Sequence, residues 1–127
     1  MDIILDTHVM LWFLKGNEKM PNETRESICN AENNKFVSIA SLWEFSIKYS
    51  LKKLDFDGGL DRLCEIIMQA GFAILPIAQS YLSYIIGLEQ IHRDPFDRLL
   101  VATAKMENMT ILTSDDNIHK YDVLCKW

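Results

Sequence analysis

The sequence of 127 residues contains only three cysteines, Cys29, Cys64 and Cys125. Their odd number and the lack of C-x-x-C spacing argue against a disulfide framework or a thiolate zinc site, so free thiols are expected. Three prolines and five glycines leave no linker, repeat or low-complexity stretch, and "DFDGG" at 55–59 reads as a turn. Residues 1–127 are expected to form a single domain large enough to bury a real core. No apolar run approaches the roughly 20 residues that span a bilayer. Asp2 and Asp6 stand where a signal peptide would carry a basic region and an unbroken apolar core, so a cytoplasmic protein is expected. Basic residues are also outnumbered, 13 Lys and Arg against 18 Asp and Glu, for a net charge of −5. Nonspecific nucleic-acid binding draws on basic side chains that neutralise phosphates, which argues against a simple phosphate-binding surface. One exception survives: acids that converge on divalent cations reverse the local field and admit an anion.

What the sequence does contain is alternation of strand and helix. Strand patterns cover Asp2–Leu5, Lys35–Ser38, Phe72–Leu75, Thr110–Thr113 and Val123–Lys126. Helical patterns cover Thr7–Lys15, Asn22–Glu32, Ser41–Leu54, Asp61–Ala70, Ser80–Glu89 and Pro95–Glu107. Such alternation predicts an α/β fold, with a central, mostly parallel sheet of four or five strands and helices on both faces.

The acids occupy telling positions in that pattern. Asp6 follows the apolar run Ile3-Ile4-Leu5, at the strand's C-terminal edge, where ligands bind in open parallel sheets; it can equally cap the next helix. Glu44 lies among Leu42, Trp43, Phe45 and Ile47, where an unpaired carboxylate is costly, although an i,i+4 pair with Lys48 would account for it. In "HRDPFDRLLVATA", Pro95 suits the first helical turn and makes Asp94 the N-cap. Asp97 then lies in the first turn, where its charge complements the helix dipole. In "TILTSDDN", Asp115 and Asp116 follow another strand and can simply begin a turn. Taken together, two strand-edge acids and two helix acids at one end of one sheet would repel unless a cation sat among them. An oxygen-only set selects a hard ion such as Mg²⁺ or Mn²⁺.

The segments "ILDTHVMLWFL", "ASLWEFSIKYSLKKL", "DPFDRLLVATA" and "ILTSDDNIHKYDV", in this order over nearly the whole chain, resemble PIN-domain proteins of the VapC toxin type. The resemblance implies a PIN-like fold and a Mg²⁺- or Mn²⁺-dependent endoribonuclease, the toxin of a toxin–antitoxin operon, often dimeric and held inactive by a small antitoxin. Carried over by residue, its acidic site falls on Asp6, Glu44, Asp97 and Asp115, with Asp116 competing for the last position. These would act as metal ligands, directly or through water. Thr7 and Ser114 would orient ligands or water. Lys48 and Lys52, spaced to share one helix face, form with Lys53 a basic cluster that either tracks an RNA backbone or solvates a helix end. Arg98 or Arg93 would contact a phosphate or be a solvated surface arginine, and His92 reads as a loop residue rather than a general base. Two other readings compete. A phosphoryl-accepting receiver domain would need an acceptor Asp after a central strand, whereas Asp55 and Asp57 follow a helix. A noncatalytic metal-binding PIN-like module would bind metal without cutting RNA.

Overall fold

The computed structural model describes residues 1–127. Its five strands are β1 (Asp2–Leu5), β2 (Asn34–Ser38), β3 (Phe72–Leu75), β4 (Thr110–Leu112) and β5 (Cys125–Lys126). They form one sheet in the order β3-β2-β1-β4-β5 with every neighbouring pair parallel. Helices α1 (Thr7–Lys15), α2 (Asn22–Cys29), α3 (Ile39–Ser50), α4 (Gly59–Gln69), α5 (Gln79–Ile86) and α6 (Pro95–Glu107) connect them, and a 3-10 turn spans Ile118–Lys120.

A parallel sheet covered on both sides needs apolar residues on both faces of its central strands, and β1 supplies them. Ile3 and Leu5 join a core with Leu42 and Phe45 of α3 and Leu63 and Ile67 of α4. Ile4, pointing the other way, joins Ile111 of β4 and Leu100, Val101 and Ala104 of α6. All three β1 side chains are fully buried. The result is three layers, with helices on both faces of the sheet as the sequence predicts.

The chain builds the sheet outward from β1 through β2 to β3, then crosses back to place β4 on the other side of β1. Loops leaving β1 and β4 at their C-terminal ends therefore diverge, and a crevice at such a reversal is where open α/β sheets bind ligands. Leu5 and Leu112 are in register, so Asp6 and the segment from Thr113 to Asp115 leave the sheet at the same edge. Helix α3 meets α6 through Ala40 packed with Leu99 and Ala102, and through an edge-to-face contact of Trp43 and Phe96 at 5.1 Å. That packing puts Glu44 on the side of α3 nearest the first turn of α6.

Several boundaries differ from the sequence patterns for local reasons. Helix α2 stops at Cys29, because the Asn30 side chain accepts from the Glu32 N–H at 2.9 Å and turns the backbone aside. Helix α3 begins at Ile39, where the Ser38 hydroxyl caps the Ala40 N–H. It ends at Ser50, since Lys52 takes a left-handed conformation (φ 58°). The Lys53 N–H then bonds to Lys48 O and the Lys52 N–H to Tyr49 O, the pairing of a Schellman end. Lys48 and Lys52 consequently do not share a helix face, which corrects the expectation for that pair. Strand β5 is limited to Cys125–Lys126 and α5 to Gln79–Ile86, and α4 begins at Gly59.

Candidate active site

Asp6 is 5% exposed and uses both carboxylate oxygens. Oδ1 accepts from the Val9 N–H at 3.0 Å, capping α1, and Oδ2 accepts from the Thr113 hydroxyl at 2.6 Å. Asp6 thus caps a helix and also faces the loop after β4, two roles that compete on paper and coexist in the fold. Thr113, fully buried, also accepts from the Asp115 N–H at 3.0 Å. It fixes Asp6 against the Asp115 loop, the orienting task expected of Ser114, whose side chain is exposed.

Glu44 is likewise held at both oxygens. The Thr7 hydroxyl donates to Oε1 at 2.6 Å, and Lys48 Nζ lies 2.9 Å from Oε2. Thr7 therefore does orient a site acid, and the i,i+4 pair with Lys48 forms as well. With Asp6 and Thr7 adjacent in the chain, the end of β1 positions two acids at once.

Asp97 and Asp115 come together around His92. The ring Nε2 is 2.9 Å from Asp115 Oδ2 and 3.0 Å from Asp97 Oδ2. Asp115 Oδ1 meanwhile accepts from the Asn117 and Ile118 N–H groups at 2.8 and 3.3 Å. Asp116 faces solvent, so Asp115 is the residue of that pair turned into the cluster. Burial, and then the charges of Asp94, Asp6 and Glu44, push the Asp97 carboxyl up to about 7, with His92 pulling the other way. Burial works against the ionised form of Asp115 too, but the bonds from His92, Asn117 and Ile118 hold its carboxyl below the ordinary range. His92 is drawn down by burial, yet its bond to Asp115 and the charges of Asp97, Asp115 and Asp94 leave it raised.

Asp94 caps α6, its Oδ1 accepting from the Phe96 and Asp97 N–H groups at 2.8 and 3.4 Å, as Pro95 implies. Asp94→Ala is expected to lower stability by about 1 kcal/mol, the ordinary cost of losing an N-cap. Urea denaturation in EDTA measures it, and a variant as stable as the parent would deny Asp94 the capping role.

Arg98 corrects the expectation of an exposed, phosphate-contacting arginine. It is 7% exposed and turned inward, donating to Glu89 O at 2.8 Å, more distantly to the carbonyls of Ile85, Leu88 and His92, and to the Tyr121 hydroxyl. Arg93 is exposed. His92 is a loop residue, as the sequence reading has it, but it reaches into the acid cluster. Its only sequence signal is its place two residues before the Asp94 cap.

The site therefore offers carboxylates from β1, α3, α6 and the loop after β4, three of them buried or nearly so, with Lys48 and His92 as its charged or polar counterparts. Ligand atoms of His92, Asp97 and Asp115 all lie within 4.8 Å of one another. The donor set fits a hard divalent cation, since carboxylate oxygens dominate and Asp97 carries charge that its neighbours do not offset. Such a site, charged and water-accessible at the edge of a sheet, suits hydrolysis of an anionic ester.

A family model described as PIN domain matches residues 3–124. No curated protein matches the chain. Among solved structures, VapBC2 from Rickettsia felis, bound to a DNA fragment from its promoter, superposes with a TM-score of 0.74 at 17% identity, covering 99% of this chain and 98% of the other. A toxin–antitoxin complex from Klebsiella pneumoniae gives 0.62 at 14% identity, with coverage of 98% and 96%. The PIN domain endonuclease Utp24 gives 0.52 at 18% identity, with coverage of 93% and 74%.

Proposed function

The chain belongs to the PIN-domain family, and from that footing we propose that it is a divalent-metal-dependent endoribonuclease, the toxin of a type II toxin–antitoxin pair acting in the cytoplasm. PIN domains are generally nucleases. The observation that carries the reading is the gathering of Asp97 and Asp115 within 4.8 Å at the sheet edge where Asp6 also emerges, with burial and the charges of Asp94, Asp6 and Glu44 holding the Asp97 carboxyl raised. A fold keeps so unfavourable a concentration of charge where a cation offsets it. Bound Mg²⁺ or Mn²⁺ would activate a water and stabilise the leaving oxygen of an RNA phosphodiester. Asp97 and Asp115 would hold the ion, and Asp6 and Glu44 would do so directly or through water.

The remaining contributions come from the chain itself. The Thr113 and Thr7 hydroxyls lock the rotamers of Asp6 and Glu44, which saves that ordering at the moment of binding. Lys48 balances part of the charge on Glu44 and supplies positive charge beside an otherwise acidic cleft for an RNA backbone. Ile39, Trp43 and Ile47, at successive fourth positions of α3, are 41, 58 and 38% exposed. An apolar stripe on the helix that carries Glu44 suits a small antitoxin segment laid across the site. On α5, Leu82 and Ile86 are 51 and 87% exposed, and we assign them to a homodimer contact.

Metal is expected both to stabilise the fold and to be needed for cleavage. At about 100 times its dissociation constant Mn²⁺ adds roughly 2.7 kcal/mol, read as a raised melting temperature. An unchanged melt together with full RNA cleavage in EDTA would remove the metal dependence from the proposal, and metal binding with no cleavage of any RNA would favour a noncatalytic module.

A further inference from the structure

We infer that His92 is a positioning residue of the metal site, holding Asp97 and Asp115 in convergence through its Nε2–H without itself becoming a ligand. The inference rests on the metal-dependent reading above and concerns what the ring does there. Four acids and a histidine would ordinarily invite the imidazole into the ligand set, because a neutral ring nitrogen binds many divalent ions. The hydrogen bonds around this ring decide otherwise.

The Asp94 N–H points at His92 Nδ1 from 3.1 Å. A backbone N–H can only donate, so Nδ1 presents its lone pair and the ring proton resides on Nε2. Nε2 is the atom 2.9 Å from Asp115 Oδ2 and 3.0 Å from Asp97 Oδ2. An N–H shared between two carboxylates draws together groups that would otherwise separate, and a nitrogen that carries a proton has no lone pair for a cation. That proton is on Nε2 in the neutral ring of this tautomer and in the charged ring alike. The oxygens it gathers are those of a hard-ion site, for which nitrogen is the less suitable donor. Ligating carboxylates are commonly oriented by such outer partners, whose loss weakens metal binding.

The ring is also anchored from behind. The His92 N–H donates to the Tyr121 hydroxyl at 2.8 Å, and that hydroxyl donates to Glu89 O at 3.0 Å. Arg98, buried beneath the same loop, binds Glu89 O. The segment from Glu89 to His92 is therefore tied down by two buried side chains from separate elements, and the ring is presented to the acids from a fixed base.

Two amide substitutions separate the functions of the two ring nitrogens. His92→Gln carries an N–H donor near the position of Nε2, whereas His92→Asn retains a polar atom near Nδ1 and leaves no donor between the carboxylates. Mn²⁺ binding by titration calorimetry is expected to remain close to that of the parent in His92→Gln and to weaken about 10- to 100-fold in His92→Asn. In EDTA, His92→Asn should melt below His92→Gln, since Asp97 and Asp115 then face each other unbridged. Pulsed electron paramagnetic resonance of the parent with Mn²⁺ should show no directly coordinated ¹⁴N. A strong ¹⁴N coupling would make His92 a ligand and overturn the inference, as would equal Mn²⁺ affinities and equal melts for the two variants. Should the parent bind no Mn²⁺ while the order of melts in EDTA holds, the nuclease reading fails and the histidine bridge stands.

Discussion

Asp97→Asn is expected to stabilise the metal-free protein at pH 8 while abolishing RNA cleavage. In the folded state the Asp97 carboxyl is raised from 3.8 to about 7, so the native protein holds this proton more tightly than the unfolded chain does. Its ionisation therefore costs stability. The cost is absent below about pH 4, grows as pH rises from there to about 7, and is complete above that value. A shift of this size corresponds to at most roughly 4 kcal/mol. Because the side chain is 21% exposed, a gain of about 1–3 kcal/mol in the asparagine variant is a more realistic expectation. Asparagine keeps the size of the side chain and removes the charge, so the decline of stability between pH 4 and 7 should flatten in EDTA. Asp115, held low, contributes stability that is fully present above about pH 4 and is lost only as pH falls through its lowered value. His92, held high, contributes stability below its ordinary value that is lost as pH rises through its raised one. With Mn²⁺ present the order reverses, because the variant lacks an anionic ligand. Cleavage should fall at least about 100-fold, the scale seen when one electrostatic group is removed from a reacting centre. Denaturation series across pH with and without Mn²⁺, paired with cleavage assays, provide the measurement. Wild-type cleavage, or a variant no more stable than the parent at pH 8 without metal, would refute the assignment of Asp97.

Arg98→Met should be the most damaging substitution to stability, at about 3 kcal/mol or more. The guanidinium is buried with no carboxylate among its contacts and is surrounded instead by carbonyls of Ile85, Leu88, Glu89 and His92. Ile85 lies in the last turn of α5, where carbonyl dipoles point outward and favour a cation. Methionine fills much of the volume but leaves these acceptors without their donor, and a buried unpaired carbonyl costs on the order of 1–3 kcal/mol. Arg98→Lys should recover only part of the loss, because one ammonium cannot reproduce the planar fork that serves several carbonyls at once. Since the same contacts hold the loop carrying His92, Mn²⁺ affinity should fall in parallel. Urea denaturation in EDTA tests the first effect and calorimetry the second. A methionine variant within 0.5 kcal/mol of the parent would show that the carbonyls find water instead.

The linear order of apolar and polar residues was enough to anticipate the alternation of strands and helices, the parallel sheet and the sheet edge at which Asp6 and Asp115 emerge. The reason is locality: β1 is buried on both faces, so Ile3, Ile4 and Leu5 are all apolar, and Pro95 makes Asp94 a cap through contacts only a few residues long. The same locality explains why Asp97 could be placed on the first turn of α6.

Other features depended on enclosure by distant parts of the chain. Arginine is polar in any sequence pattern, and only the closing of α5, the loop after it and Tyr121 over α6 turned Arg98 inward. His92 is 23 residues from Asp115, and nothing in the spacing says that the loop before α6 and the loop after β4 meet at one imidazole. Thr113 rather than Ser114 reaches Asp6 because the inward position falls on the residue that continues the pairing of β4 with β5, its N–H donating to Lys126 O at 3.0 Å. Lys52 leaves the face of Lys48 because the chain reverses in a left-handed turn that no glycine announces. Periodicity and capping are short-range and can be read residue by residue. The burial of a long polar side chain, and the meeting of loops around an acid cluster, are settled only when the layers pack.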